Sequence, residues 1–156
     1  MNDKKKIVFE FNDEQTLLNV DFQRMKRAVE KILTDAGYTR GRIEIAVVEA
    51  EPMHEMNVQF LGHDYPTDVL AFPMEVDPKK GRLEGEIVVC SDVANDLARD
   101  FQWSAEDELL LYVVHGALHL VGYDDHTPED APIMHAKERE YLAFVGVDGS
   151  KSRKEP

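Results

Sequence analysis

The stretch from residue 109 to residue 121 is the most apolar in the chain, and it is interrupted only by His115, Gly116 and His119. No apolar run reaches the roughly 18 residues that a bilayer span needs, so this stretch predicts a helix at the centre of a protein core. Ser104 can cap its start, Glu106, Asp107 and Glu108 fill a first turn where the helix dipole favours acids, and Gly122 stops it. The other elements are expected to pack around this helix.

Runs rich in β-branched and aromatic residues at 7–11, 43–48, 69–74 and 86–90 read as four short strands, and the segment 81–85, which begins and ends in glycine, supplies turn chemistry before the last. Between them lie helical patterns. Residues 22–36 place Phe22, Met25, Val29, Ile32 and Leu33 on one face and stop at Gly37. Shorter helices are expected at 52–61, opened by Pro52, and at 91–100, where the Ser91 hydroxyl can satisfy orphan amides. A last helix is expected at about 132–145, with 127–130 as a turn, because Pro132 sits badly inside a helix begun at Pro128. At 156 residues and 43% apolar content the chain can bury a core unaided. The expected architecture is α+β: one domain over residues 1–147, a four-stranded sheet packed with helices, and a polar tail at 148–156 expected to be disordered.

Eighteen Lys and Arg against 31 Asp and Glu give a net charge of -13, so the surface repels phosphate polymers on average. A nucleic-acid partner would need a local basic patch. Arg24, Lys26, Arg27, Lys31, Arg40 and Arg42 gather early in the chain, whereas residues 43–78 and 100–136 each hold eight acids and no Lys or Arg. The plain reading of that basic stretch is a solvated helix face. Cys90 is the single cysteine and can form no intramolecular disulfide, and the start, Lys4-Lys5-Lys6 followed by Ile7-Val8-Phe9, meets Glu10 before a signal-peptide core could form. A cytoplasmic protein is expected, with neither a membrane nor DNA as partner.

Three of the six histidines fall within twelve residues, in His115-Gly-Ala-Leu-His119-Leu-Val-Gly-Tyr-Asp-Asp-His126. His115 and His119, four apart on the core helix, project from one face a turn apart and can grip one ion. Gly122 can turn the chain back, and the seven residues to His126, at about 3.3 Å each, are ample for its return. Three neutral imidazoles around a divalent ion with an open fourth position would bind a water, depress its pKa to about 7 and polarise a phosphoryl or carbonyl oxygen. Zinc is the first expectation, one per chain, with nickel, copper and iron also suited to nitrogen-rich sites. Asp124 and Asp125 are available to orient a ring nitrogen, and Asp125 could be a fourth ligand that closes the site, or the fallback for His126. Incidental packing would explain one isolated histidine pair, but a third histidine after a glycine turn favours metal binding. Gly116 stands where His-Glu-x-x-His peptidases carry their general base, so that chemistry lacks its base. Glycine there leaves room beside an ion or permits close helix packing.

The run from His115 to His126 resembles the signature of the YbeY family, bacterial metal-dependent endoribonucleases linked to ribosomal RNA maturation and ribosome quality control. Two other segments resemble family strands in the same order: Tyr65-Pro66-Thr67-Asp68-Val69-Leu70-Ala71-Phe72-Pro73, and Gly85-Glu86-Ile87-Val88-Val89-Cys90. The resemblance implies a mixed sheet against helices, a zinc held by His115, His119 and His126, and hydrolysis of single-stranded RNA, with 16S ribosomal RNA, the ribosome or ribosomal proteins as partners. Two departures stand out. The family's third histidine follows Gly-Tyr-Asp directly, whereas here Asp125 intervenes. A family arginine associated with RNA cleavage is matched by Leu61, which would pass the task of stabilising phosphate charge to another arginine such as Arg40 or Arg42.

His54, His63 and His135 read as lone surface or helix-face histidines, Trp103 as core packing, Cys90 as a small buried hydrophobe, and Thr67-Asp68 as a turn or a loop brace. No residue stands out as the general base. The leading expectation is a zinc-dependent endoribonuclease. The alternatives are a non-catalytic ribosome-assembly factor with a structural metal, and a zinc peptidase or amidase.

Overall fold

The computed structural model describes residues 6–62, 67–101 and 103–151. Four strands, β1 (Ile7–Glu14), β2 (Arg40–Val48), β3 (Val69–Asp77) and β4 (Arg82–Cys90), form one sheet in the order β1-β2-β4-β3. The first, second and fourth run parallel, and β3 returns antiparallel beside β4 through a 3-10 turn at Pro78–Lys80. The α-helices among the described residues are α1 (Phe22–Asp35), α2 (Ala50–Leu61), α3 (Ser91–Phe101), α4 (Ala105–Leu120) and α5 (Asp130–Phe144). This is the expected α+β domain with a mixed four-stranded sheet, and every expected strand and helix is present. Among the described residues, no helix is long and apolar enough to cross a membrane.

Strand alternation divides the core in two. Ile43, Ile45 and Val47 of β2, with Leu83, Ile87 and Val89 of β4, point into the main core, which α1, α4 and α5 complete. Ala46, Val48, Val88 and Cys90, with Leu70 of the neighbouring β3, belong to the cluster on the opposite face, which Met53 of α2 joins. Helix α4 lies at the centre, against β3, β4, α1, α3 and α5. Residues 108–118 are all buried, so the helix shows little amphipathicity and reads as one continuous apolar stretch. Ser104 caps it as expected, its hydroxyl accepting from the Asp107 amide at 3.0 Å.

The structure moves several boundaries. Each strand runs past its apolar run into polar residues, because ladder hydrogen bonds continue wherever the neighbour continues. On the face that α2 leaves open, Arg42 pairs with Glu10, Arg82 pairs with Glu84, and Asn12 Nδ2 donates to Glu44 Oε2 at 2.5 Å. Helix α5 starts at Asp130, two residues earlier than expected, and Pro132 is accommodated in its first turn, where an amide has no intrahelical partner to lose. The expected turn before it forms, with Thr127 Oγ1 accepting from the Asp130 amide at 3.0 Å. Ser91 does not cap α3. Strand β4 passes into that helix without a loop, and the Ser91 hydroxyl donates to the Val48 carbonyl at 3.2 Å. The chain after Asp148 begins as a 3-10 turn, Gly149–Lys151, packed on Leu142 and Arg139 of α5; residues 152–156 of the expected tail lie outside the described residues.

Candidate metal centre

Four residues apart on α4, His115 and His119 present rings with centroids 4.5 Å apart and planes at 80°. Their Nε2 atoms lie 3.0 Å from each other, so both nitrogens aim at one point. After Leu120 the chain reverses. Gly122, at φ 108°, donates its amide to the His119 carbonyl at 3.0 Å, and the Tyr123 amide reaches the Leu118 carbonyl at 3.0 Å. These two bonds make a Schellman cap, which only a left-handed residue such as glycine forms without strain.

The returning loop carries Asp125 to the pair. Its Oδ2 is 3.7 Å from His115 Nε2 and its Oδ1 is 3.7 Å from His119 Nε2. Donor atoms around one tetrahedral zinc, at about 2.0–2.2 Å from it, stand about 3.3 Å from one another, so separations of 3.0 and 3.7 Å suit a single ion. His126, expected as the third imidazole, is not brought to the pair. Its side chain is 80% exposed and its Nε2 lies 3.2 Å from Asp124 Oδ1, in a second acidic group that includes Asp125. Burial, and then the neighbouring His115, push the His119 imidazole below the ordinary histidine value, which favours the neutral form that binds metals.

Sequence reasoning missed Glu138. Its Oε2 lies 2.5 Å from His115 Nδ1, the ring nitrogen that faces away from the Asp125 side. The residue is 4% exposed and shares the inner face of α5 with Met134, Tyr141 and Leu142. A charged residue at helical spacing within an apolar stripe is the signal that could have found it, since such a residue is tolerated only with a buried partner.

Gly116 serves packing. A Cβ there would come within 2.8 Å of Ile87 Cγ2 and 3.2 Å of Val69 Cγ2, so the helix rests on β3 and β4 with no room for a side chain. Arg42, a candidate phosphate contact, pairs with Glu10, and Arg24 pairs with Asp107 at 3.1 Å. Leu61, at the end of α2, is 52% exposed. His54 lies on α2 and His135 on α5, both outside the two metal-competent groups, while His63, Tyr65 and Pro66 lie outside the described residues. Trp103 packs on the core and donates its indole N–H to Glu108 Oε1 at 2.8 Å. The Asp68 carbonyl accepts from the Cys90 amide at 3.0 Å, which ties the Thr67-Asp68 turn to the end of β4. Burial pushes the Cys90 thiol up, in keeping with a packing role.

The sequence profile of the family described as Endoribonuclease YbeY matches residues 10–146. The chain belongs to the YbeY family. Relatives carrying the name Endoribonuclease YbeY include one from Chlorobium luteolum, 39% identical over 81% of this chain and 90% of its own length. Another, from a Sulfurovum species, is 34% identical over 88% and 91%. The Rhodopirellula baltica YbeY is 40% identical over 72% of this chain, and the match spans 58% of that longer protein. Among solved structures, the solution structure of the Thermotoga maritima protein TM1509 is similar, with a TM-score of 0.61 and 29% identity over 88% of this chain and 89% of that one. The YbeY match thus covers part of β1, all of β2, β3 and β4, and His115, His119, Asp125 and Glu138 of the candidate centre.

Proposed function

We propose that the protein is a metal-dependent endoribonuclease that hydrolyses phosphodiester bonds in single-stranded RNA. Its place would be the maturation of 16S ribosomal RNA and ribosome quality control in the cytoplasm. The observation that carries the reading is the convergence of His115 Nε2, His119 Nε2 and the Asp125 carboxylate, in a chain belonging to a family named for this activity. Two imidazoles and a carboxylate fit zinc, with iron the next candidate by donor type. A zinc ion held there would lower the pKa of a coordinated water and polarise a phosphoryl oxygen.

The protein's own groups set the conditions for that chemistry. Burial favours the neutral, metal-binding form of His119; the Gly122 cap returns Asp125 to the histidines; His126 and Asp124 stand at the solvent side of the loop, where an incoming RNA would meet them. Little nearby charge attracts phosphate, so ribosomal proteins are proposed to deliver the RNA. One observation favours a second reading, a non-catalytic assembly factor with a structural metal: the α2 terminus offers exposed Phe60 and Leu61 where the family resemblance places an arginine.

The deciding experiment is cleavage of a labelled single-stranded RNA by zinc-loaded wild type and His119→Ala, with metal content measured on the same samples. Cleavage by wild type alone, with metal content sharply reduced in the variant, is the expected result. Full activity in His119→Ala would sink the metal mechanism. A wild-type protein holding one metal per chain yet inert, with or without ribosomal subunits, would favour the second reading.

A further inference from the structure

The geometry points to Glu138 as a positioning residue for the metal centre: a carboxylate on α5 that holds His115 in the tautomer whose Nε2 is free to bind the ion. The inference rests on the metal reading above and adds a residue from a different helix. Glu138 is 4% exposed, and the His115 ring is the one hydrogen-bond partner it has among the described residues. A carboxylate buried without compensation is strongly disfavoured, and only a matched donor offsets the penalty. A carboxylate at such a site, between Met134 and Leu142 on the face turned to α4, therefore needs the bond it makes.

That bond also decides what His115 can do. A neutral imidazole carries one proton. With the Nδ1–H donating to Glu138 Oε2 at 2.5 Å, the lone pair lies on Nε2, the atom 3.0 Å from His119 Nε2 and 3.7 Å from Asp125 Oδ2. With the proton on Nε2 instead, the pair could not grip an ion. The carboxylate fixes the ring's rotation and tautomer, as carboxylate partners of metal-binding histidines do. The centre is consequently shared between helices, with both ring ligands on α4 and the group that orients one of them 23 residues later on α5.

The test compares wild type with Glu138→Gln, which keeps an acceptor but no charge, and Glu138→Ala, which keeps neither. Tyr141→Phe on the same helix, which removes only the hydroxyl that donates to Asp35 Oδ2 at 2.7 Å, serves as the control for α5 stability. Long-range proton–nitrogen NMR reads the His115 tautomer in the metal-free proteins, and titration with zinc alone reads affinity. Expected are the Nδ1–H tautomer in wild type and Glu138→Gln, its loss in Glu138→Ala, and a zinc affinity about 10- to 100-fold weaker in Glu138→Ala. Glu138→Gln should fall between, and Tyr141→Phe should match wild type. An Nε2–H tautomer in wild type overturns the proposal. So does a Glu138→Ala protein that melts earlier but binds zinc within about threefold of wild type. If wild-type protein takes up no zinc at all, the metal reading itself fails and the role given to Glu138 fails with it, a result distinct from the other two.

Discussion

Asp125 and His126 are adjacent in the chain, yet the loop after Gly122 delivers only the carboxylate to the His115–His119 pair and leaves the imidazole 80% exposed beside Asp124. Imidazole is the more familiar zinc ligand, which is why the sequence points to His126; the returning backbone, set by the Schellman cap, determines which of the two side chains arrives. Removing each in turn separates them. Asp125→Ala is expected to weaken zinc binding at least tenfold in a chelator competition, whereas His126→Ala should stay within about threefold of wild type. The reverse order would restore the three-histidine site. The same contrast explains what could be read one residue at a time. His115 and His119 were legible because helix geometry alone brings i and i+4 together. Glu138 was not, because nothing local ties residue 138 to residue 115 until two helices pack.

At the scale of elements, the contact between α4 and the sheet is tight enough to test with one methyl group. Gly116→Ala would gain up to about 1 kcal/mol of helix propensity but must push aside Ile87 and Val69, an overpacking cost of about 1–3 kcal/mol. A net loss of up to about 2 kcal/mol in a denaturant melt is expected; a stabilised variant would contradict the packing account. The open face of the sheet carries a second prediction. Glu10, Glu44 and Glu86 stand in one row across β1, β2 and β4, and the Glu86 carboxyl is pushed up by burial first, then by Glu44 and Glu14. A carboxyl raised above its unfolded value contributes stability below the unfolded pKa, and that contribution disappears as pH rises through the folded one. Glu86→Gln should therefore raise the melting temperature at pH 7, with the gain shrinking as the pH is lowered toward 4. Element identity was legible throughout, since the apolar periods of 2 and 3.6 are local. Element ends were not, because the polar halves of β1 and β2 are strands only through their partners.

For the molecule as a whole, 31 acids stand against 18 Lys and Arg, and Arg24, Arg42, Arg82 and Arg99 are already paired with carboxylates, so phosphates meet a net charge of -13. Affinity for free single-stranded RNA should be weak. Its salt dependence should be shallower than a slope of about -4, the value that six phosphate contacts would give on a single strand. A steeper slope in a binding titration at several salt concentrations would mean that a basic surface forms on the RNA. What the sequence determined alone is whatever depends on short separations along the chain: the strands and helices, a central apolar helix with two histidines one turn apart, the glycine that ends it, and the motif order shared with the YbeY family. What only the tertiary structure decided is whatever depends on one element meeting another. The choice of Asp125 over His126, the clasp of Glu138 on His115, and the use of Gly116 for packing are all set by distances through space, and those exist only once α4 is enclosed by the sheet and by α5.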